Sequence, residues 1–425
     1  MSDETKKPNW QRYLVGGAVR DQLLGEPVKD RDWVITGATP ETLTTLGYRQ
    51  VGAEFPVFLH PESGEEHALA RTERKSGRGY QGFVCDFSPD ITLEADLQRR
   101  DFTINAMAQA EDGTLIDPCG GQQDLERRIL RHVSPAFRED PLRVIRAARF
   151  AARLAPWDFT LAPETRQLMR EMVRSGELQF LTPERVWQDM AKALATRVPS
   201  VFFYTLRELG ALQVVLPELD ALFGVPQTMQ YHPEVDTGVH AMQALDQSAR
   251  LTDRLDVRYA VLCHDFGKGV TPVETLPGHR GHERRGLPLI DAASERLRVS
   301  KPLHRLARLT CEWHTHCHRL LDLRPATVLK MLEPFRPWQD DTTLRGFALA
   351  CRADARGRSG FDSTEYPQAD WLLQLAAAAG AVESGPLRDQ GYTGPALGEA
   401  IRQARIRVIG STLNTLRSNQ SSTHP

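Results

Sequence analysis

The sequence predicts an α+β fold: a head that mixes strands and helices, followed by a chain that is almost wholly helical. Three observations predict it. Short β-rich runs separated by Gly and Asp turns fill the stretch from Tyr13 to Ile116. From about residue 139 onward that alternation gives way to apolar residues at helical spacing, as in LRVIRAARFAARL, ETRQLMREMV and PERVWQDMAKALA. The 425 residues also exceed what one ordinary core organises, so several domains are the default.

Taken in order, the head offers strands at Tyr13–Val15, Asp32–Thr36, Phe55–Leu59, His67–Ala70 and Thr114–Ile116, joined by turns and helices. The joint to the helical part falls near Pro135 to Pro141. A second shift comes at about Tyr231, where nine of the thirteen histidines crowd between His232 and His318. These shifts divide the chain into a head (1–138), a helical neck and body (139–230), a histidine-rich helical domain (231–355) and a helical C-terminal region (356–425). The polar last segment, SNQSSTHP, is expected to fray.

Composition narrows the function classes. With 41% hydrophobic and 25% charged residues the balance is that of a folded globular protein, against disordered, collagen-like or coiled-coil readings. The start, MSDETKKPNW, has no apolar signal core, and no stretch approaches bilayer length, so a cytoplasmic location without a membrane partner is expected. Six cysteines without a CxxC pair suit reduced thiols better than a disulfide framework. The net charge of −2 does not announce a nucleic-acid binder, yet the distribution does more. From Arg127 to Arg153 eight arginines face only Glu139 and Asp140, and arginine without lysine favours bidentate contact with phosphates or bases.

The first chemical site lies in YLVGGAVRDQLLGEPVKDRDWVIT, which reads as strand, Gly-Gly turn, short helix and a second strand carrying Asp30 and Asp32. Residues two apart on a strand point the same way, so the two carboxylates share a face. Side by side they repel unless a divalent cation lies between them, and magnesium favours one or two carboxylates plus substrate phosphates. Gly16 and Gly17 let backbone N–H groups approach a triphosphate, and Arg20, one turn on, is placed to pair with its oxygens.

GGAVRD, LLG, KDRD and the later RRDFTINA (Arg99–Ala106) resemble the signature of class II tRNA nucleotidyltransferases, the CCA-adding enzymes, and of their bacterial poly(A) polymerase relatives. The resemblance implies a nucleotidyltransferase head of the polymerase β type, Mg2+ held by Asp30 and Asp32, and Arg100 contacting the incoming nucleotide, while Asp101 and Asn105 organise the neighbouring turn. Glu66 is either a third carboxylate beside the Asp pair or a solvated strand acid. Lys75 to Phe83 has the glycines of a mobile lid or of an exposed turn.

EDPLRVIRAARF resembles the nucleotide-selecting helix start of that family. Asp140 and Arg143 are three apart and are expected to share a helix face. An aspartate accepts from the amino group of cytosine or adenine while arginine donates to the adjacent ring acceptor, whereas uracil and guanine present the reverse pattern. Such a pair admits CTP and ATP alone. Arg146 and Arg149 continue the basic stripe toward triphosphate or base; the bland alternative is that Asp140 caps the helix and the arginines face water.

The second site is built from DTGVH (His240), HDFGKG (His264, Asp265) and ADARG (Asp354), whose order resembles the HD phosphohydrolase superfamily. That resemblance implies a divalent metal on His240, His264, Asp265 and Asp354 that activates water against phosphorus. Nickel or another imidazole-preferring metal fits such ligands. Lys268 is a phosphate-binding candidate, and His282 and His314 are candidates for a second metal, for phosphate contacts or for plain surface residues. Together the resemblances imply a CCA-adding enzyme with tRNA, CTP and ATP as partners and no role for DNA, extended by phosphatase, 2′-nucleotidase and 2′,3′-cyclic phosphodiesterase activity; a poly(A) polymerase, or a nucleotide-binding HD protein with an inactive head, is the rival.

Overall fold

A computed structural model describes residues 10–51, 57–75, 83–230 and 232–423; of 73–75, 83–84 and 421–423 only the backbone is described. The chain divides into two compact units, Met1–Arg185 with Glu208–Ala211, and Val186–Arg207 with Leu212–Pro425. The sequence suggests four segments instead, with a joint near residue 138. That joint lies inside the first unit, because the rings of Phe137 and Phe150 each pack against Phe102 with centroids 5.5 Å apart and so bind the first long helix to the head.

The first unit is organised by a seven-stranded mixed sheet. Along the chain come β1 (Gln11–Val15), α1 (Gly17–Leu23), β2 (Asp32–Thr36), α2 (Pro40–Thr45), β3 (Arg49–Val51), β4 (Val57–Leu59) and β5 (Glu66–Leu69). They are followed by β6 (Thr72–Lys75), β7 (Phe83–Asp86), α3 (Leu93–Gln98), β8 (Ala108–Gln109), β9 (Leu115–Ile116), α4 (Gly121–Glu126) and β10 (Ile129–Leu130). The strand order is β3-β4-β5-β2-β1-β8-β9, with β6 and β7 a separate antiparallel ribbon. Strand alternation sends neighbours to opposite faces. Val15 and Val34 pack with Leu93 and Leu97 of α3, whereas Ile35 packs with Leu43 of α2 and with Phe58. Helices therefore cover both faces, and threonine side chains at Thr39 and Thr92 cap α2 and α3 by accepting from Thr42 N and Ala95 N. The unit continues through α5 (Leu142–Leu154), β11 (Thr160–Leu161) and α6 (Pro163–Arg174), with β10 and β11 paired in parallel. In α5 the apolar positions, among them Val144, Ile145, Ala148 and Ala152, are buried.

The segment α7 (Pro183–Leu194) and α8 (Ser200–Glu208) straddle the division between units. In the second unit follow α9 (Leu212–Val215), α10 (Pro217–Asp220), α11 (Thr237–Leu251), α12 (Leu255–Cys263), α13 (His282–Arg296) and α14 (Lys301–His318). The last helices are α15 (Pro325–Leu332), α16 (Thr342–Arg356), α17 (Gln368–Gly380), α18 (Gly385–Asp389) and α19 (Gly394–Thr423). Asp236 caps α11 by accepting from Val239 N. Arg258, wholly buried on α12, donates to the carbonyls of Leu194, Thr196 and Ala249 and so satisfies two helix ends at once. At the tail α19 runs to Thr423, anchored upstream by buried Ile409, Leu413 and Leu416, and an established helix extends cheaply by one bond per residue.

Candidate nucleotide and metal sites

In the head, the register of β1 with β2 pairs Val15 with Asp32, which sets the start of β2 beside the Gly16–Gly17 turn. Gly16 has φ +69°, a conformation that side chains rarely adopt, and a Cβ there would come within 2.9 Å of Arg100 Nη1. The Arg100 guanidinium thus lies against the turn. It is aimed by buried Asp96, whose Oδ2 accepts from Nε at 3.3 Å and Nη2 at 3.1 Å. Asp30 stands before β2 rather than on it, so the strand argument for a shared face reaches only Asp32; both side chains are exposed. Crowding by protein atoms raises the Asp32 carboxyl above its usual range, Arg100 opposes the rise and Asp30 adds to it. That unfavourable pairing of carboxylates is what a bound divalent cation relieves, so the donor set fits magnesium. Glu66 is the in-register neighbour of Asp32 on the parallel strand β5, likewise exposed.

Arg20 is not turned outward toward a triphosphate. It is buried beneath the Gly-Gly turn, where a Cβ on Gly17 would lie 3.4 Å from Nη2, and it donates to Asp21 Oδ1 and Asn105 Oδ1. Asp21 in turn accepts from Arg153 of α5 at 2.6 Å. Asn105 donates to Asp101, and Asp101 receives both Nε and Nη2 of Arg146, at 2.9 and 2.6 Å. Burial opposes ionisation of Asp101, but Arg146 outweighs it and holds the carboxyl down to about 2. A single polar ladder therefore joins the Gly-Gly turn, the RRDFTINA turn and α5. Arg146 belongs to it rather than projecting free toward a base.

The pair expected to read the base, Asp140 and Arg143, is arranged differently from the sequence reading as well. α5 begins at Leu142, so Asp140 lies outside the helix and the shared-face argument does not apply to it. Asp140 Oδ1 accepts from Leu142 N and Oδ2 pairs with Arg185 at 3.2 Å. Arg143 donates to the carbonyls of Ala136 and Arg99. Arg149 stacks over the Phe150 ring at 4.3 Å. Most of Lys75–Phe83 lies outside the described residues.

In the second unit five helices converge. His240 sits on α11, His264 ends α12, Asp265 starts the 3-10 turn Phe266–Val270, His282 opens α13, His314 lies on α14 and Asp354 on α16. All six are buried. Their positions follow from close packing: a Cβ on Gly267 would meet His282 O at 1.9 Å, so only glycine lets the turn after Asp265 lie flush on α13. His240 Nε2 lies 3.0 Å from Asp354 Oδ1, and His264 Nε2 lies 3.2 Å from Asp265 Oδ2 and 3.6 Å from Asp354 Oδ1. Burial pulls the His264 imidazole down, but Asp265 and Asp354 overcome it and push it up to about 10. Burial opposes ionisation of both aspartates, yet His264, joined by Lys268 at Asp265 and by His318 at Asp354, outweighs it and holds them well below the usual range. Burial takes His314 the other way, down to about 4. Neither Asp265 oxygen and not His264 Nε2 finds an aligned hydrogen bond, although Lys268 Nζ approaches Asp265 Oδ2 to 2.7 Å and donates to Gln227. Buried, convergent and unsatisfied, these donors fit a divalent cation.

Several supporting residues escape the sequence reading. Asp96 lies on α3 and Arg100 stands beyond its end, so their four-residue spacing is only a weak signal for the pair. Glu234 Oε1 stands 3.1 Å from His240 Nδ1 and carries no spacing signal. Asp354 Oδ2 accepts from His318 Nε2 at 2.8 Å, and Tyr366 OH meets His318 Nδ1 at 2.8 Å. His318 shares a helix face with His314, four residues away, and that spacing is the signal for it.

The mixed sheet, glycine turn and carboxylates define the class: a nucleotidyltransferase with the head of a poly A polymerase. Residues 12–131 match the poly A polymerase head domain, and 158–223 match the probable RNA and SrmB-binding site of polymerase A. The multifunctional CCA protein of Hahella chejuensis is 59% identical over 94% of this chain and 94% of its own length, and that of Methylococcus capsulatus 55% identical over 93% and 94%. A solved CCA-adding enzyme in complex with ATP shares the fold at a TM-score of 0.64 and 19% identity, covering 98% of this chain and 91% of that one. The chain belongs to the multifunctional CCA protein family.

Proposed function

We propose that the chain builds the 3′-terminal CCA of tRNA from CTP and ATP in its head unit, and that its helical unit is a metal-dependent phosphohydrolase acting on 2′,3′-cyclic phosphates and simple phosphate esters. The placement of Asp32 beside the Gly16–Gly17 turn with Arg100 against it carries the first part. Magnesium held by Asp30 and Asp32, with Glu66 in register as a third carboxylate, supplies charge to the attacking 3′-hydroxyl and the triphosphate. Arg100, steadied by Asp96, receives the triphosphate. Arg20 and Arg146 hold the turn and α5 in place from beneath. Asp140 and Arg143 read the base edge, exchanging their present backbone and Arg185 contacts for the amino group and ring acceptor of cytosine or adenine.

In the helical unit His240, His264, Asp265 and Asp354 hold a divalent metal, nickel being one that imidazole-rich sites accept, and the metal supplies Lewis acidity to a water attacking phosphorus. Lys268 binds phosphate next to Asp265. Opening a cyclic phosphate and clearing the remaining ester regenerates the hydroxyl that addition needs. Both activities belong in the cytoplasm, in keeping with the six free cysteines. Among the described residues no helix is long and apolar enough to cross a membrane.

The test supplies CTP, ATP and a tRNA lacking its CCA end, alongside a metal-replete assay on 2′,3′-cyclic phosphate. Addition of C, C and A followed by arrest supports the head assignment, and a growing adenosine tail favours a poly(A) polymerase. Loss of hydrolysis but not of addition in His264→Ala and Asp265→Ala supports the second site. A wild type that hydrolyses nothing with nickel, cobalt, manganese or magnesium refutes it.

A further inference from the structure

Phe150 stands where the segments of the head's polar ladder cross. Its ring centroid lies 5.5 Å from that of Phe102 in the RRDFTINA turn, with the two ring planes at 73°. Around the same ring gather the guanidiniums of Arg149, Arg20 and Arg146, their Cζ atoms 4.3, 5.4 and 5.9 Å from its centroid. We propose that Phe150 is a positioning residue for nucleotide addition, its π face holding these three like-charged groups together as one cationic floor beneath the Gly16–Gly17 turn. The proposal rests on the reading that the triphosphate is received at that turn.

Sequence and packing bring the groups together. Arg146 and Phe150 are four apart on α5 and share a helix face, Arg149 immediately precedes the ring, and Arg20 reaches it from α1. Phe150 is 6% exposed, Phe102 0% and Arg20 2%, so little water competes for the ring. Asp21 takes Nε and Nη2 of Arg20, and Asp101 takes Nε and Nη2 of Arg146. Those bonds run in the guanidinium plane, because all five N–H groups lie in it and the faces have no hydrogen to donate. A flat ring is what a buried guanidinium face can use. The π face carries partial negative charge and attracts a cation over it, whereas an aliphatic side chain of similar volume only fills the space. All three Cζ atoms stand within the distance of about 6 Å over which that attraction counts.

The floor reaches the nucleotide through the turn. A Cβ on Gly17 would lie 3.4 Å from Arg20 Nη2, so the guanidinium lies directly against the turn's backbone. Gathered there, the positive charge attracts a triphosphate seated on the turn, and the low-dielectric surroundings of buried Phe102 and Phe150 screen it little. Phosphate is what ATP and CTP share. Dispersing the guanidiniums therefore weakens both nucleotides by the same factor, unlike a change at Asp140 or Arg143, which acts on the base. Hydrolysis in the helical unit is untouched.

The experiment replaces Phe150 in the full-length chain with mono-, di- and trifluorinated phenylalanine by nonsense suppression. Fluorine withdraws negative charge from the ring face step by step and nearly keeps its shape, so packing is held while the pull on cations falls. KM and kcat are measured for CTP on a tRNA lacking CCA and for ATP on a tRNA lacking only the last adenosine. The expected result is a KM that climbs with each fluorine by the same factor for both nucleotides, to about 5–30-fold in the trifluorinated protein, with kcat changing less. Phe150→Leu should raise KM at least as far. A KM that stays flat across the series, or that climbs for one nucleotide alone, overturns the role of Phe150 and leaves the nucleotidyltransferase reading standing. A parent protein that adds neither nucleotide overturns both. The fluorinated series decides the matter even if Phe150→Leu fails to fold.

Discussion

Replacing Asp101 with asparagine keeps the shape of the side chain and its acceptor oxygen for Phe102 N, while removing the charge that holds Arg146. The carboxyl is held at about 2 against an ordinary 3.8. A difference of that size corresponds to about 2.5 kcal/mol of linkage at neutral pH. Asp101 is buried, but the Arg146 side chain is 37% exposed and rehydrates when its partner is lost, so the expected cost is about 1–2 kcal/mol. The sign follows from the depressed value. Stability from this pair is present above pH 3.8 and is lost as pH falls from 3.8 through about 2. Urea unfolding followed by tryptophan fluorescence at pH 7, 5 and 3, fitted with one transition per compact unit, should show Asp101→Asn lowering one transition at pH 7 and 5. The gap should shrink by about half at pH 3, where the parent carboxylate is itself losing its advantage. A gap of constant size from pH 7 to pH 3 refutes the assignment of the stabilisation to this ion pair.

Three further outcomes are expected. Asp30→Ala and Asp32→Ala should each abolish nucleotide addition and leave phosphatase activity largely intact; a gel assay on tRNA lacking its CCA end checks this, and normal addition by either variant removes the carboxylates from the metal site. Asp140→Ala and Arg143→Ala should relax base choice by about 1–3 kcal/mol, read as incorporation of UTP and GTP in competition with CTP and ATP. Unchanged rejection of both would place selection elsewhere. Glu234→Gln should weaken metal binding in the helical unit by about 10–100-fold by loosening His240, measured by metal titration, with nucleotide addition unaffected.

The strands of the head were legible because alternation of apolar and polar residues leaves a direct trace, and Val34 and Ile35 indeed face opposite layers. The start of α5 was less so. Spacing alone cannot tell that Asp140 spends an oxygen on Leu142 N and stays outside the helix, although the capping alternative contained that possibility. Arg20 shows a different limit: a motif marks a residue as important without telling where its side chain lies, and here it is buried beneath the turn. In the helical unit His282 and His314 could be named from histidine density, but not the face of Asp265 they approach. Tyr366 stands 48 residues from His318, and Ser359 N, which donates to Glu234, 125 residues from its acceptor. Contacts at such separations are set by helix packing, and sequence spacing does not reveal them.

The most direct measurement follows the fate of one substrate, a tRNA lacking CCA and ending in a 2′,3′-cyclic phosphate, incubated with CTP, ATP, magnesium and nickel and resolved by mass. The parent protein should clear the phosphate and then extend the end by C, C and A. Asp32→Ala should stop after clearing, and Asp265→Ala should leave the cyclic end untouched while still extending a tRNA with a free hydroxyl. Failure of the parent to extend the free-hydroxyl tRNA, or extension of the blocked tRNA by Asp265→Ala, would contradict the division of labour between the two sites.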